Sequence, residues 1–310
     1  MSLRFERHAE PSAQEHWRAL EGDAVVARCS LWWQGTPSLD GAPLGVIGRF
    51  EAAPGARAEL LLAHACGVLA RHGARRAVGP MDGSTWHAYR LVSDAGSEPP
   101  FFLEPWNPLE WNAHFTAAGF APLATYHSSV TDARAYADAR VPEAAARLRA
   151  DGVRLRSLDP ARFAEELERI HALSLASFAR NFLYTPIGRD EFLAQYRPLE
   201  RLVDPRLVLM AERPGELAGF LFALPDLLEA GRGDAPRTAI LKTMAVRPGR
   251  RDAGLGAWLA AECHARAAAA GFTRVVHALM HDANVSAATS RRSARLLRRY
   301  TLYARDLEGA

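Results

Sequence analysis

Residues 251–256 read Arg-Asp-Ala-Gly-Leu-Gly and put two glycines, Gly254 and Gly256, at the head of an alanine-rich stretch with the apolar spacing of an amphipathic helix. A helix N-terminus has N–H groups without intrahelical acceptors and carries partial positive charge, so it is a natural anion site. Glycine lets a ligand approach that backbone closely. The chemistry this spacing could do is to cradle a phosphate or pyrophosphate. Residues 238–246 ahead of it alternate and are β-branched enough to read as a strand, so the order is strand, arginine-rich turn, glycines, helix.

Spacing separates the phosphate loops that share this plan. A dinucleotide-binding fingerprint needs a third glycine where Leu259 stands, and an acidic residue at the end of a second strand. A nucleotide P-loop needs Gly-Lys-Ser/Thr, and the only lysine of the chain, Lys242, lies inside the strand. What remains is Arg-x-x-Gly-x-Gly after a strand ending in Val246-Arg-Pro248, with a second strand, residues 273–280, after the helix. This resembles the pyrophosphate-binding motif of the GNAT superfamily of acyl-CoA N-acyltransferases. An ordinary glycine-containing turn beside solvated arginines is the other reading of the same letters.

The resemblance implies acetyl-CoA as cosubstrate, no metal, and direct transfer to an amine. It places the pyrophosphate on Arg251, Asp252, Ala253, Gly254, Leu255 and Gly256. The pantetheine arm and the oxyanion fall to the backbone of Met244, Ala245 and Val246. Asn284 matches the asparagine that opens a further family motif, but Arg291 stands seven residues on, where many members carry a tyrosine that protonates the thiolate. The acid is therefore open among Tyr300 and Tyr303 on the last strand and His281 at the end of the strand after the helix, each of which could equally be a packed tyrosine or a strand-end histidine. His277 is weaker, since alternation puts it on a sheet face.

The elements that must position these residues occur twice. In the second half, residues 153–158 read as a strand and residues 161–178 as a helix with Phe163, Leu167, Ile170 and Leu173 on one stripe. A short helix at 189–196 and a hairpin at 206–224 follow, then the motif strand and helix. The first half repeats the plan: strands at 25–34 and 44–52, a helix at 56–73, a strand at 74–81, an Asn107-initiated helix closed by Gly119-Phe120, and a strand at 121–130. Its phosphate loop has one glycine, Gly55, and no second, and Phe115 stands in the tyrosine slot. The expected fold is α/β (α+β), two GNAT-like domains, residues 1–145 degenerate and 146–310 acyltransferase, each a mixed, mostly antiparallel sheet flanked by helices.

Residues 79–108 between these elements form a long stretch without periodicity, carrying Trp86, His87, Tyr89, Arg90, Glu104 and Trp106. Loops of that length in compact domains are usually functional. This one reads either as the wall of an acceptor pocket or as a self-packed plug in the first half's unused cofactor groove.

Composition bounds the function. A net charge of +3 over 310 residues argues against a nucleic-acid partner, although Arg291, Arg292, Arg295, Arg298 and Arg299 form a local basic run. Cys29, Cys66 and Cys263 are scattered, and histidines show no metal spacing, so neither a disulfide framework nor a zinc site is indicated. The N-terminal residues lack the apolar core of a signal peptide, and no stretch is long enough to span a membrane, so a cytoplasmic location is expected. The function expected is acyl transfer to a small-molecule or peptide amine. A non-catalytic acyl-CoA-binding or sensing protein and an aminoacyl transferase using charged tRNA are the alternatives.

Overall fold

The computed structural model describes residues 3–10, 13–233, 235–283 and 294–307. The N-terminal half runs β1 (Arg4–His8), β2 (Glu15–Glu21), β3 (Ala24–Trp32), the short pair β4 (Ser38–Leu39) and β5 (Ala42–Pro43), then β6 (Gly45–Ala52) and α1 (Ala58–Arg71). It continues with β7 (Arg76–Gly79), β8 (Leu91–Asp94), α2 (Glu110–Ala117) and β9 (Ala121–Asp132). Helix α3 (Val141–Ala150) leads to β10 (Arg154–Ser157), α4 (Phe163–Phe178), α5 (Arg189–Tyr196), β11 (Val208–Arg213) and β12 (Glu216–Pro225). The chain closes with α6 (Leu227–Gly231), β13 (Thr238–Val246), α7 (Leu255–Ala269), β14 (Arg274–His281) and β15 (Arg295–Asp306).

Local chemistry accounts for the helices. Asp159 accepts from the Ala161 N–H at 3.0 Å, Pro160 follows it, and the apolar stripe of α4 buries Phe163, Leu167, Ile170 and Leu173. Helix α1 likewise buries Leu61, Leu62, Ala65, Val68 and Leu69. Helix α3 starts with a proline in its first turn and buries only Ala145 and Leu148. So thin an apolar stripe leaves little periodicity to read.

All but β4 and β5 join one sheet in the order β1-β2-β3-β6-β7-β15-β9-β14-β13-β12-β11-β10, with β8 also on β15. The ladders are antiparallel except β6–β7 and β13–β14, the two parallel pairs, each bridged by one helix, α1 or α7. The mixed α/β class expected from the sequence is thus the one observed, and each half contains one parallel strand–helix–strand crossover. The halves also exchange strands. β15, from the end of the chain, lies between β7 and β9, with Tyr303 opposite Gly79 on one side and Tyr300 opposite Tyr126 on the other. β9, from the first half, in turn borders β14.

Each face of the sheet carries its own core. Tyr303 joins Leu61, Leu69 and Phe115 under α1 and α2, while Tyr300 and Leu302 face the opposite way with Tyr126 and Val92. In the second half Met244 and Val246 pack toward α7 and α3, and Ala245 toward α4 and α5. That alternation leaves β13 covered on both faces, and its remaining freedom is along its edge.

Candidate active site

β13 pairs with β14 only over four rungs, from Thr238 opposite Arg274 to Leu241 opposite His277. Beyond them β13 continues to Val246 on β12, and β14 continues to His281 on β9, so the two strands part. Both sides of the parting are distorted. Phe222 faces Thr243 while Ala223 faces Leu241, which makes Lys242 the extra residue of a β-bulge. On β14 the register slips between His277 and Met280, and Leu279 has a left-handed φ of 59°. Met244, Ala245 and Val246, expected to meet the cosubstrate, lie on β13 past the point where β14 leaves it, so their edge has no neighbouring strand, and Ser177 of α4 donates to the Val246 carbonyl there at 3.0 Å.

The glycine loop stands at the end of that strand. Residues Arg250–Asp252 form a single 3₁₀ turn, Gly254 caps α7 with φ of 82°, and α7 makes its first turn with the Trp258 N–H on the Gly254 carbonyl at 3.1 Å. The N–H groups ahead of Trp258 have no acceptor within the helix. Each glycine also has a reason inside the chain. A Cβ on Gly254 would stand 2.7 Å from the Ala144 methyl of α3, and one on Gly256 would stand 3.3 Å from the Met244 terminal methyl. Asp252 is turned away into a buried ion pair, with Arg213 donating to it at 2.6 Å. Arg251 is exposed and donates to Asp151 at 2.8 Å, and Arg147 donates to the carbonyls of Arg251 and Ala253 at 3.0 and 2.5 Å. The Arg251 guanidinium holds the Asp151 carboxyl below the usual carboxylate range. The loop is thus braced by α3, with its one carboxylate neutralised and the end of α7 left bare.

The equivalent parting in the first half is stitched shut. β6 and β7 share only two rungs, Gly45–Ala77 and Val46–Val78. Past them the Met81 N–H donates to the Ile47 carbonyl at 2.8 Å and the Asp82 carboxylate takes the Arg49 N–H at 2.6 Å. A Cβ on Gly48 would collide with the Met81 carbonyl at 2.1 Å. Residues 81–82 therefore occupy the edge that β13 leaves open.

The rest of the 79–108 stretch walls the second half's cleft. Phe101 and Phe102 pack with Leu224, Ile240, Val276 and Ala278, and the Phe102 N–H donates to Asp226 at 2.9 Å. Trp86 donates its ring N–H to the Thr185 carbonyl at 2.7 Å, between α4 and α5. Arg90 is sandwiched between the rings of Tyr89 and Tyr126, 3.9 and 4.0 Å from their centroids, and donates to the Leu279 carbonyl at 3.3 Å. Glu104 and Arg298 form an ion pair of 2.6 Å with neither side chain exposed. The first residues of this stretch thus close the edge of β6, and its later residues pack against the second half's strands.

Of the three acid candidates, only His281 lies on β14 past its parting from β13. It ends β14 edge-on to Tyr126, with ring centroids 4.9 Å apart, and accepts from the Ala283 N–H at 3.1 Å. Burial lowers its pKa, with Asp282 opposing. Tyr300 is fully buried, its hydroxyl donating to Glu104 and lying 2.9 Å from the Ser128 hydroxyl, and burial raises its pKa far above the ordinary value. Tyr303 donates to Asn112 at 2.8 Å in the first half's core, stacked on Phe115. Asn284 and Arg291 lie outside the described residues. His277 is a core histidine whose Nε2 lies 2.9 Å from that of His264; burial pushes them down to about 4 and about 3, so one neutral ring donates to the other.

Other residues at the cleft were not singled out from the sequence. Lys242, on the bulge, donates to the Leu103 carbonyl at 2.8 Å, and burial pushes its ammonium down to about 8, with Arg90 acting the same way and Glu104 opposing. The signal was available: it is the one lysine in a chain that otherwise uses arginine. His127, carried in by β9, lies 2.5 Å from Asp282, which also accepts from Thr125 at 2.6 Å. No local pattern announces a pair 155 residues apart.

Residues 168–290 match the model of the Acetyltransferase (GNAT) family. A bacterial ceramide synthase of Caulobacter vibrioides (strain NA1000 / CB15N) is 28% identical over 166 residues, 52% of this chain and 42% of that protein, so the match spans less than half of the relative. Among solved structures, a GCN5-related N-acetyltransferase from Sphaerobacter thermophilus aligns at 13% identity and a TM-score of 0.53, covering 95% of this chain and 81% of its own. A tandem GNAT protein from the clavulanic acid biosynthesis pathway aligns at 16% identity and a TM-score of 0.52, covering 97% of this chain and 86% of its own. At these identities the likeness is one of fold. Among the described residues no helix is long and apolar enough to cross a membrane.

Proposed function

Because residues 168–290 belong to the GNAT acetyltransferase family, we propose that the chain is an acyl-CoA-dependent N-acyltransferase with one cosubstrate site per chain. The site lies between β13 and β14, with the pyrophosphate at the bare end of α7. Acetyl-CoA is the cosubstrate we test first. The two repeats meet near residue 145, in helix α3, with β15 returning to complete the first repeat's sheet, and the first serves as scaffold and wall. The observation that carries this reading is the contrast between the partings: β13 has no strand partner on the β14 side past Leu241, where Ser177 meets only its last carbonyl, Val246, while residues 81–82 close the edge of β6.

The thioester supplies the activated acyl group. The chain positions it along Met244, Ala245 and Val246, whose edge has no β14 partner, and a strand N–H there holds the developing oxyanion. The acceptor amine enters under the 86–104 wall, past Arg90, Lys242 and His281, and is held against the carbonyl, where proximity lowers the barrier most. The amine's proton passes to water or to a neutral group on that side, His281 or the weakened base Lys242.

The test is thiol release from acetyl-CoA by the purified chain with a panel of small amines, sphingoid bases and peptides, alongside calorimetry with CoA. The named relative is a ceramide synthase, and the sphingoid arm includes its chemistry. One CoA per chain and amine-dependent thiol release support the reading. Absence of CoA binding, or two equivalent sites, overturns it.

A further inference from the structure

The first hairpin of the chain ends in three side chains that acyl transfer does not use. β1 and β2 pair antiparallel, and their last rung sets His8 opposite His16. Side chains on one rung project to the same side of the sheet, and the two imidazole centroids are 5.5 Å apart. Glu10, in the connection between the strands, folds back over them. Its Oε2 lies 3.4 Å from His8 Nε2 and 3.6 Å from His16 Nδ1, and all three donor atoms fall within 4.8 Å of one another.

Those separations have a simple meaning. Four ligands at roughly 2.0–2.1 Å around a tetrahedral ion stand about 3.3–3.4 Å from each other. Both contacts to Glu10 Oε2 are at that edge length or a few tenths longer, whereas a direct hydrogen bond would draw the atoms closer, to about 2.7–3.0 Å. Two imidazole nitrogens and one carboxylate oxygen are a donor set that suits zinc. The other Glu10 oxygen takes the Arg49 guanidinium at 3.0 Å, which fixes the carboxylate in the way outer partners orient metal ligands. His16 is buried, and its Nδ1 is held 2.7 Å from the Ser30 hydroxyl, a bond that metal would replace.

We propose that His8, Glu10 and His16 form a zinc site that clamps the end of the β1–β2 hairpin, with its fourth position open to the groove lined by Gln14 and Glu15. The site stands on these three side chains alone and is independent of the acyltransferase reading. Its sequence trace is His-x-Glu with a second histidine six residues after the glutamate, a spacing that a hairpin brings together and a helix does not.

The experiment treats the full chain with chelator, removes the chelator, adds Zn²⁺ alone, and measures bound metal and thermal stability. Co²⁺ in place of Zn²⁺ reports tetrahedral coordination through its visible absorption. The expected result is one zinc per chain, a raised Tm, and affinity reduced at least ~10-fold in both His8→Ala and Glu10→Gln, whose side chains are partly exposed and leave the fold intact. Undetectable binding at micromolar zinc overturns the proposal. So does binding of equal strength in wild type, His8→Ala and Glu10→Gln, because the ion would then sit elsewhere.

Discussion

Lys242 Nζ donates to the Leu103 carbonyl at 2.8 Å, joining the bulge of a second-half strand to a wall contributed by the first half. The bond closes one side of the cleft, and it places a weakened ammonium there. Burial is the main cause of its pKa of about 8, against about 10.5 for a free lysine. Below about pH 8 the lysine is charged both folded and unfolded, so the burial penalty is fully present. Between about 8 and 10.5 the unfolded chain binds more protons than the folded one, and stability must rise with pH.

The expected outcome is that Lys242→Met flattens the rise in unfolding free energy between pH 8 and 10. The difference is on the order of 1–3 kcal/mol, since one unit of pKa corresponds to about 1.4 kcal/mol. Urea midpoints of both proteins across that window decide it. Parallel curves would mean that the amine is solvated in the folded state.

The glycines of the loop separate folding from binding. Gly254 combines a φ of 82° with a Cβ position 2.7 Å from Ala144, so Gly254→Val strains the cap and pushes on α3. A loss of about 1–3 kcal/mol is expected from the backbone alone. Gly256 has an ordinary φ, and its nearest neighbour is the flexible end of Met244 at 3.3 Å. Gly256→Val should fold with a small loss of Tm and bind CoA at least ~10-fold more weakly, because a branched side chain shields the α7 N–H groups. Calorimetry on the folded variant checks this, and unchanged affinity would remove the pyrophosphate from the end of α7.

How far this site could be read in advance depended on sequence distance. The stripe of α4, the strand before Gly254 and the helix after it are local periodicities, and each formed where its spacing predicts. Partnership between distant strands is not local. The pattern of residues 295–306 gives an alternating strand but no hint that it inserts between β7 and β9, since any strand of matching polarity satisfies the same alternation. For the same reason Glu104 reads as a loop carboxylate until Arg298, 194 residues later, is found against it. Tyr300 and Tyr303 became acid candidates because adjacency along the chain says nothing about which face or which half they serve.

Arg251 meets its first partner inside the protein, and this competes with any anion. Its pair with Asp151 is solvent-exposed and therefore screened and weak. Asp151→Asn should therefore free the guanidinium and tighten CoA by a factor of roughly 2–5, while Arg251→Ala weakens it. Titrations at two salt concentrations test the pair. A tighter Arg251→Ala would show that the arginine plays no part in holding phosphate.

The acid candidates now divide by what their side chains touch. Tyr300 is fixed by Glu104 and Ser128, and Tyr303 by Asn112, so each is committed to a partner in the fold. Removing the Tyr300 hydroxyl leaves Glu104 still paired with Arg298, and the expected cost of Tyr300→Phe is about 1 kcal/mol of stability with turnover nearly unchanged. Tyr303→Phe should behave alike. Arg298→Met is different: it strands a buried carboxylate, at a cost of about 3–5 kcal/mol, and loosens the wall that Glu104 anchors. His281 alone of the three lies past the parting of β13 and β14, with its pKa lowered by burial, and is suited to take a proton rather than give one. His281→Ala should then reduce kcat, by less than the ~10²–10⁴-fold of a well-placed general base if water or Lys242 substitutes. The measurement is kcat at saturating acyl-CoA for the three variants, with CoA affinity followed in parallel. A fall of more than ~10³-fold in Tyr300→Phe or Tyr303→Phe at unchanged stability would return the proton to a tyrosine and require the core around it to open during turnover.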